Sequence, residues 1–225
     1  EFVAFTSNEL GQYKVWLHDV AKKKTKRLMR GDHKLDRIPD VSYPLLAWNP
    51  SSEVLAVIYS KKGKVLLELY DMQTKKWDKR ELVRIDKVLS FNFSSDGRRL
   101  VISGIKNSQS DLFVFNLAQN SMQQVTNDIY DDLTPSFIPG TNEIIFASNR
   151  ASDSTKFKKD ADLFMDNNDL FIYDYKEKPD VYKRLVNSQD YDEQFPYAIN
   201  ANMFTFLSGE NGIRNRYVGS VDSTI

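Results

Sequence analysis

Apolar and polar residues alternate along this chain in short runs broken by polar turns. The clearest stretch is Leu89 to Asn127. LSFNF is followed by a turn at Ser94-Ser95-Asp96-Gly97, then LVISG, a polar turn at Lys106 to Ser110, DLFVFNL, a turn at Gln119-Asn120-Ser121, and MQQVT. Asp-Gly between two apolar runs is a strong hairpin signal, because Gly accepts the positive φ that tight turns require. The stretch predicts four antiparallel strands in a row.

The unit recurs. The middle of its second strand falls at Phe5, Val57, Ile102, Phe146 and Phe206. Its two clean steps are about 45 residues, the period of a four-stranded propeller blade. The longer steps hold a polar loop around Gly31 to Tyr43 and an insertion around Arg150 to Asn168. Third strands VWLHD, LELYD, LFVFN and LFIYD end at Asp19, Asp71, Asn116 and Asp174, with a weaker copy, RYVGS, ending at Ser220. A short hydrogen-bonding side chain suits the start of the next turn. First strands carry an aromatic at Trp48, Phe91 and Phe137, with Tyr197 or Ala198 in the fifth copy. The expected class is all-β, a β-propeller of four-stranded antiparallel blades with about four and a half blades present. A single domain spans 1–225, with blades at 1–30 (partial), 44–83, 88–127, 134–187 (insertion 150–168) and 195–225 (partial). The first blade lacks its first strand and the last stops before its fourth. The ring is therefore expected to be incomplete, the chain reading as part of a longer one. A closed five-bladed ring with irregular outer blades is the alternative.

Third strands are apolar on both faces: Leu112 and Val114 point one way, Phe113 and Phe115 the other. Such a sheet needs a neighbour on each side, as an inner blade has. Fourth strands carry the basic pairs Lys26-Arg27, Lys79-Arg80 and Lys183-Arg184. On an outermost strand, charge discourages edge-to-edge pairing; an anion site is the other reading.

Composition narrows the partners. Lys plus Arg and Asp plus Glu both number 31, so no bulk charge points to nucleic acid or a membrane surface. No apolar run approaches the roughly 18 residues of a membrane helix, so membrane insertion is not expected. The chain has no cysteine, which removes disulfide and thiolate chemistry. It begins Glu-Phe-Val without an initiator Met, and processing or truncation is expected.

Catalytic candidates are thin, and no catalytic residue, cofactor or metal site is assigned. His18 holds the repeat position of Tyr70, Phe115 and Tyr173 and reads as a packing substitute; His33 lies in a polar loop with Asp32 and Asp36. No Gly-x-Ser-x-Gly elbow is present. In the insertion, Asp160, Asp162, Asp166 and Asp169 with Asn167 and Asn168 are oxygen donors of the kind Ca²⁺ takes, without the spacing of an EF-hand. The segment also reads as a short helix over TKFKKDADLFMD with Phe157, Leu163 and Phe164 clamped on the blade edge, as a solvated structural insertion, or as a partner contact. Acidic residues precede each first strand: Asp40, Asp86, Asp131, Asp132, Asp192 and Glu193. In a propeller these joints end near the central channel, where negative charge would favour a cationic peptide or partner. Alternatively, each caps its own loop.

The segment SSDGRRLVISGIKNSQSDLFVFNLAQNSMQQVTND resembles the repeat of TolB-type propellers of Gram-negative envelopes. Ser95-Asp96-Gly97, Ser103, Asp111-Leu112-Phe113 and Val125-Thr126-Asn127 carry the likeness, with FTSN from Phe5 and FASNR from Phe146. Asn-Pro-Ser-Ser at Asn49 and Ile-Pro-Gly-Thr at Ile138 replace the Asp-Gly turn. The resemblance implies a non-enzymatic protein-interaction scaffold in the periplasm or cell envelope, with a peptidoglycan-associated lipoprotein or other envelope protein as partner. The alternative is the substrate-gating propeller of a prolyl-oligopeptidase-type peptidase whose catalytic domain lies outside this chain. A pectate-degrading lyase on a similar propeller would be expected to use histidine metal ligands, and this chain has two histidines.

Overall fold

A computed structural model describes residues 1–8, 12–31, 40, 42–156, 164–186, 188 and 190–221, with the side chains of 164–166 excepted. Among them are eighteen strands and no helix. Sheet I is β1 (Phe2–Ser7), β2 (Lys14–Asp19) and β3 (Lys24–Arg30). Sheet II is β4 (Leu45–Trp48), β5 (Val54–Lys61), β6 (Lys64–Asp71) and β7 (Trp77–Glu81). Sheet III is β8 (Lys87–Phe93), β9 (Arg99–Lys106), β10 (Gln109–Asn116) and β11 (Ser121–Gln124). Sheet IV is β12 (Asp132–Phe137), β13 (Glu143–Arg150), β14 (Phe164–Asp174) and β15 (Lys183–Arg184). Sheet V is β16 (Glu193–Ala198), β17 (Met203–Ser208) and β18 (Asn215–Ser220). Every sheet is an antiparallel meander in sequence order, as the repeat predicts.

Local chemistry sets the turns. In sheets II, III and IV the residue that ends the third strand folds the following turn through its own side chain. Asp71 Oδ1 accepts from the amides of Gln73 and Thr74, Asn116 Oδ1 from Gln119, and Asp174 Oδ1 from Lys176 and Glu177. Where Asp-Gly is replaced, Asn49 Oδ1 accepts from the amides of Glu53 and Val54 at 3.0 and 2.9 Å. Gly219 lets β18 lie on β17, since a Cβ there would stand 2.4 Å from the Phe204 ring.

The sheets fall into two compact units, Glu1–Val83 and Arg84–Ile225. In the first, Val15 packs with Leu55, Val57, Tyr59, Leu66 and Tyr70, joining sheets I and II. In the second, sheet IV is apolar on both faces. Phe146, Phe171 and Tyr173 pack with Val101, Leu112 and Val114 of sheet III. Their strand neighbours Ile145, Leu170 and Ile172 pack with Ala198, Phe204 and Phe206 of sheet V. The two-residue alternation thus sends successive side chains into two different seams.

The basic pairs do more than guard edges. Lys26 Nζ donates to Tyr70 OH at 3.2 Å, and Lys79 Nζ lies 3.5 Å from Glu68. Arg184 turns inward to Asp153, Asp169 and the carbonyls of Arg150 and Ala151. Adjacent strand residues face opposite ways, so one member of each pair must lie over the sheet rather than off its edge.

Candidate functional site

The acidic residues before the first strands separate into two groups. Asp40, Asp86 and Asp131 are exposed and Asp192 is half-buried. Each holds a turn: Asp40 accepts from the Ser42 amide, Asp86 from the Asn107 amide, Asp131 from the Ser110 hydroxyl, and Asp192 from the Asn168 amide. The charges of Asp40, Asp86 and Asp131 still face outward on loops held in place by these bonds, while half-buried Asp192 also accepts from Asn168 Nδ2 at 3.2 Å. Asp132 and Glu193, by contrast, are the first residues of β12 and β16, with exposures of 0% and 2%. Their carboxylates point into the protein and not toward a partner approaching the joints.

What surrounds Asp132 was not legible as a site in the sequence. Arg150, the last residue of β13, is fully buried and forms the centre of a charged cluster. Its Nη2 donates to Asp132 Oδ1 at 2.6 Å, its Nη1 to Asp128 Oδ2 at 3.4 Å, and its Nε to Ser148 Oγ at 3.1 Å. Four rings enclose the guanidinium: Tyr182 at 3.9 Å, Tyr130 at 5.4 Å, and Phe146 and Phe171 at 5.5 Å each. Burial alone would strip its charge, but Asp132, Tyr182 and Asp128 outweigh burial and hold the proton more tightly than usual. Burial raises Tyr182 as well. Asp128 is raised by burial and then by Asp132, against the pull of Arg150. Asp111, at the seam of the same cluster, is pushed up to about 7 by burial and by the charges of Asp132 and Asp128. Glu193 is also pushed up to about 7, by burial first, with only Ser208 Oγ at 3.1 Å opposing it.

The remaining sequence candidates are placed as follows. His18 is half-buried on β2, its Nδ1 2.9 Å from Thr25 Oγ1. Asn167, Asn168 and Asp169 tie the start of β14 to the segment 188–192: Asn167 Nδ2 donates to the carbonyls of Ser188 and Tyr191, and Asp169 Oδ1 accepts from the Ser188 amide. Burial raises the Asp169 pKa, against the Ser188 amide and Arg184. His33, Asp32, Asp36, Phe157, Asp160, Asp162 and Leu163 lie outside the described residues, as do the side chains of Phe164 and Asp166. Among the described residues no group of three His, Cys, Asp or Glu is arranged to hold a metal ion.

Repeated four-stranded meanders with shared seams define a β-propeller. The fold is that of the TolB-type propeller: TolB from Acinetobacter baumannii superposes with a TM-score of 0.70 at 15% identity, over 100% of this chain and 51% of that one. Oligogalacturonate lyase in complex with manganese matches at a TM-score of 0.67 and 12% identity, over 98% of this chain and 59% of the other. Acylaminoacyl peptidase matches at 0.60 and 13%, over 99% and 36%. The chain thus spans about half the length of the TolB chain. No protein-family model and no curated protein sequence matches it.

Proposed function

We propose that the chain is a non-enzymatic protein-interaction scaffold of the Gram-negative cell envelope, working in the periplasm. Its partner is an envelope protein such as a peptidoglycan-associated lipoprotein, met through the acidic joints at Asp40, Asp86, Asp131 and Asp192. The observation that carries this reading is the TolB-type fold running through the whole chain. Outward carboxylates on anchored loops support it, because they attract a basic surface while losing little loop entropy on binding.

Affinity capture from envelope extract tests the reading, with the chain beside a variant carrying Asn at those four positions. Asn keeps the side-chain carbonyl that caps each loop and removes only the charge. Retention of the lipoprotein by the parent, weakened by salt and by the Asn variant, is expected. Equal capture by both would refute the acidic joints as the contact.

A second reading, the gating propeller of a prolyl-oligopeptidase-type peptidase, draws on the match to acylaminoacyl peptidase. It requires a nucleophile elbow and a paired histidine elsewhere in the same polypeptide.

A further inference from the structure

The outer edge of sheet III differs from those of sheets I, II and IV. In sheet I Lys26 and Arg27 stand opposite Leu17 and Trp16, and in sheet IV Lys183 and Arg184 stand opposite Ile172 and Phe171. In sheet II the outer strand carries Lys79 and Arg80. The matching pair in sheet III, opposite Val114 and Phe113, is Gln123 and Gln124. No residue from Leu117 to Asn127 carries a charge. Charged side chains are a usual guard against strand addition at an edge, and β11 has none. Among the described residues no strand pairs with its outer side, although sheets III and IV each have all four strands.

The backbone of β11 is presented for pairing. The Val125 amide donates to the Leu112 carbonyl at 2.8 Å, so every second residue counted back from Val125 bonds inward to β10. The residues between, Met122 and Gln124, turn their N–H and C=O groups outward.

Beside this edge, sheets III and IV leave a pocket of about 100 Å³. Its walls include Arg99, Asn116, Gln119 and Gln123 on one side and Tyr175 and Lys176 on the other, and no acid lines it. Arg99 is fixed in place: its Nη1 donates to Tyr175 OH at 2.5 Å and to Asn142 Oδ1 at 3.2 Å, and its guanidinium lies 5.5 Å from the centre of the Phe137 ring. Asp96, 3.6 Å from Arg99 Nη2, stands outside the lining. Lys176 is exposed, its Nζ 5.2 Å from the centre of the Tyr175 ring. A space of this size is far below the roughly 300–1,000 Å³ of a small-molecule site and takes a single side chain.

We propose that β11 accepts an extended segment of a partner protein as a fifth strand of sheet III, with a Glu or Asp side chain of that segment seated between Arg99 and Lys176. Main-chain bonds to Met122 and Gln124 supply affinity, and the cationic pocket selects the acidic side chain. Side chains of an added strand alternate between faces, so every second one lies on the Gln123 side, with the pocket. This surface is separate from the acidic joints, and the proposal does not depend on them. A second copy of this chain pairing through its own β11 would bring no acid to the pocket.

The test is NMR titration of the chain with the peptide acetyl-Ser-Val-Thr-Glu-Thr-Val-Ser-amide, followed at the β11 amides, with hydrogen exchange as a second readout. Controls are the same peptide with Gln for Glu and a fully N-methylated peptide. Saturable shifts at Ser121 to Gln124 are expected, with exchange of the Met122 and Gln124 amides slowed. The Gln peptide should bind about tenfold or more weaker, the usual loss for a hydrogen bond to a charged group, and the N-methylated peptide not at all. Met122→Pro removes an outward amide that β10 does not use, and should abolish peptide binding in a chain that circular dichroism shows to be folded. Lys176→Glu, in an exposed turn, should erase the preference for Glu over Gln. No saturable binding at millimolar peptide, equal affinity for the Glu and Gln peptides, or binding without protection of Met122 and Gln124 overturns the proposal. So does concentration-dependent protection of the same amides without peptide, which assigns the edge to a second copy of the chain.

Discussion

Replacing Arg150 by Met probes the charged cluster most sharply. The substitution keeps an unbranched apolar stem among Phe146, Phe171 and Tyr182 and removes the only cation bonded to Asp132 and Asp128 in the described structure. Both acids are left in a site where Asp132 is 0% exposed and already has one oxygen without a partner. Breaking a buried pair by removing one member typically loses about 3–5 kcal/mol. For a chain of this size that corresponds to a fall in melting temperature of roughly 10 °C. Urea denaturation of parent and variant at pH 7 measures the difference. Adding Asp132→Leu to Arg150→Met should recover much of the loss, since an apolar pair of similar size tolerates burial better than a lone charge. The deficit of the single variant should also shrink as pH falls and Asp128, whose pKa burial already raises, takes up a proton. A loss under about 1 kcal/mol, the range of exposed pairs, would refute the claim that Arg150 neutralises a buried acidic site.

Three further outcomes follow from individual contacts. Glu193 has a folded pKa of about 7 against an ordinary 4.5, so its burial penalises stability progressively as pH rises from about 4.5 to 7 and no further above that; Glu193→Gln should flatten that part of the stability–pH curve, and an unchanged slope would contradict it. Gly219→Ala puts a methyl 2.4 Å from the buried Phe204 ring and should lower stability by about 1–3 kcal/mol in urea titration; a neutral effect would show that the ring moves freely. Asn49→Ala removes the acceptor for two amides and should lose about 1 kcal/mol, with thermal melts as the check.

The strands were readable because their causes are local. Two-residue alternation, the Asp or Asn closing each third strand, and the spacing of the copies all lie within one repeat, and the sheets follow them. The cluster around Arg150 was not, because its parts come from four separated segments: Asp128, Tyr130 and Asp132; Phe146, Ser148 and Arg150; Phe171; and Tyr182. A lone arginine opening a polar insertion looks solvated. Strand parity held a usable signal all the same. Neighbouring strand residues face opposite sides, so when a strand begins at the second residue of Asp131-Asp132 or Asp192-Glu193, the doublet splits into one outward and one buried acid. The same parity turns Arg184 inward while its position in the fourth strand suggests an exposed edge. The blades group into two compact units, Glu1–Val83 and Arg84–Ile225, and the division falls at the end of the blade read from the repeat as 44–83.

The scaffold account is tested most directly by titrating the soluble domain of a peptidoglycan-associated lipoprotein into the chain by calorimetry, at low and at physiological salt. The account predicts saturable binding that weakens with salt and weakens further when Asp40, Asp86, Asp131 and Asp192 are all changed to Asn. Absence of heat at both salt concentrations, or affinity indifferent to those four charges, would contradict it.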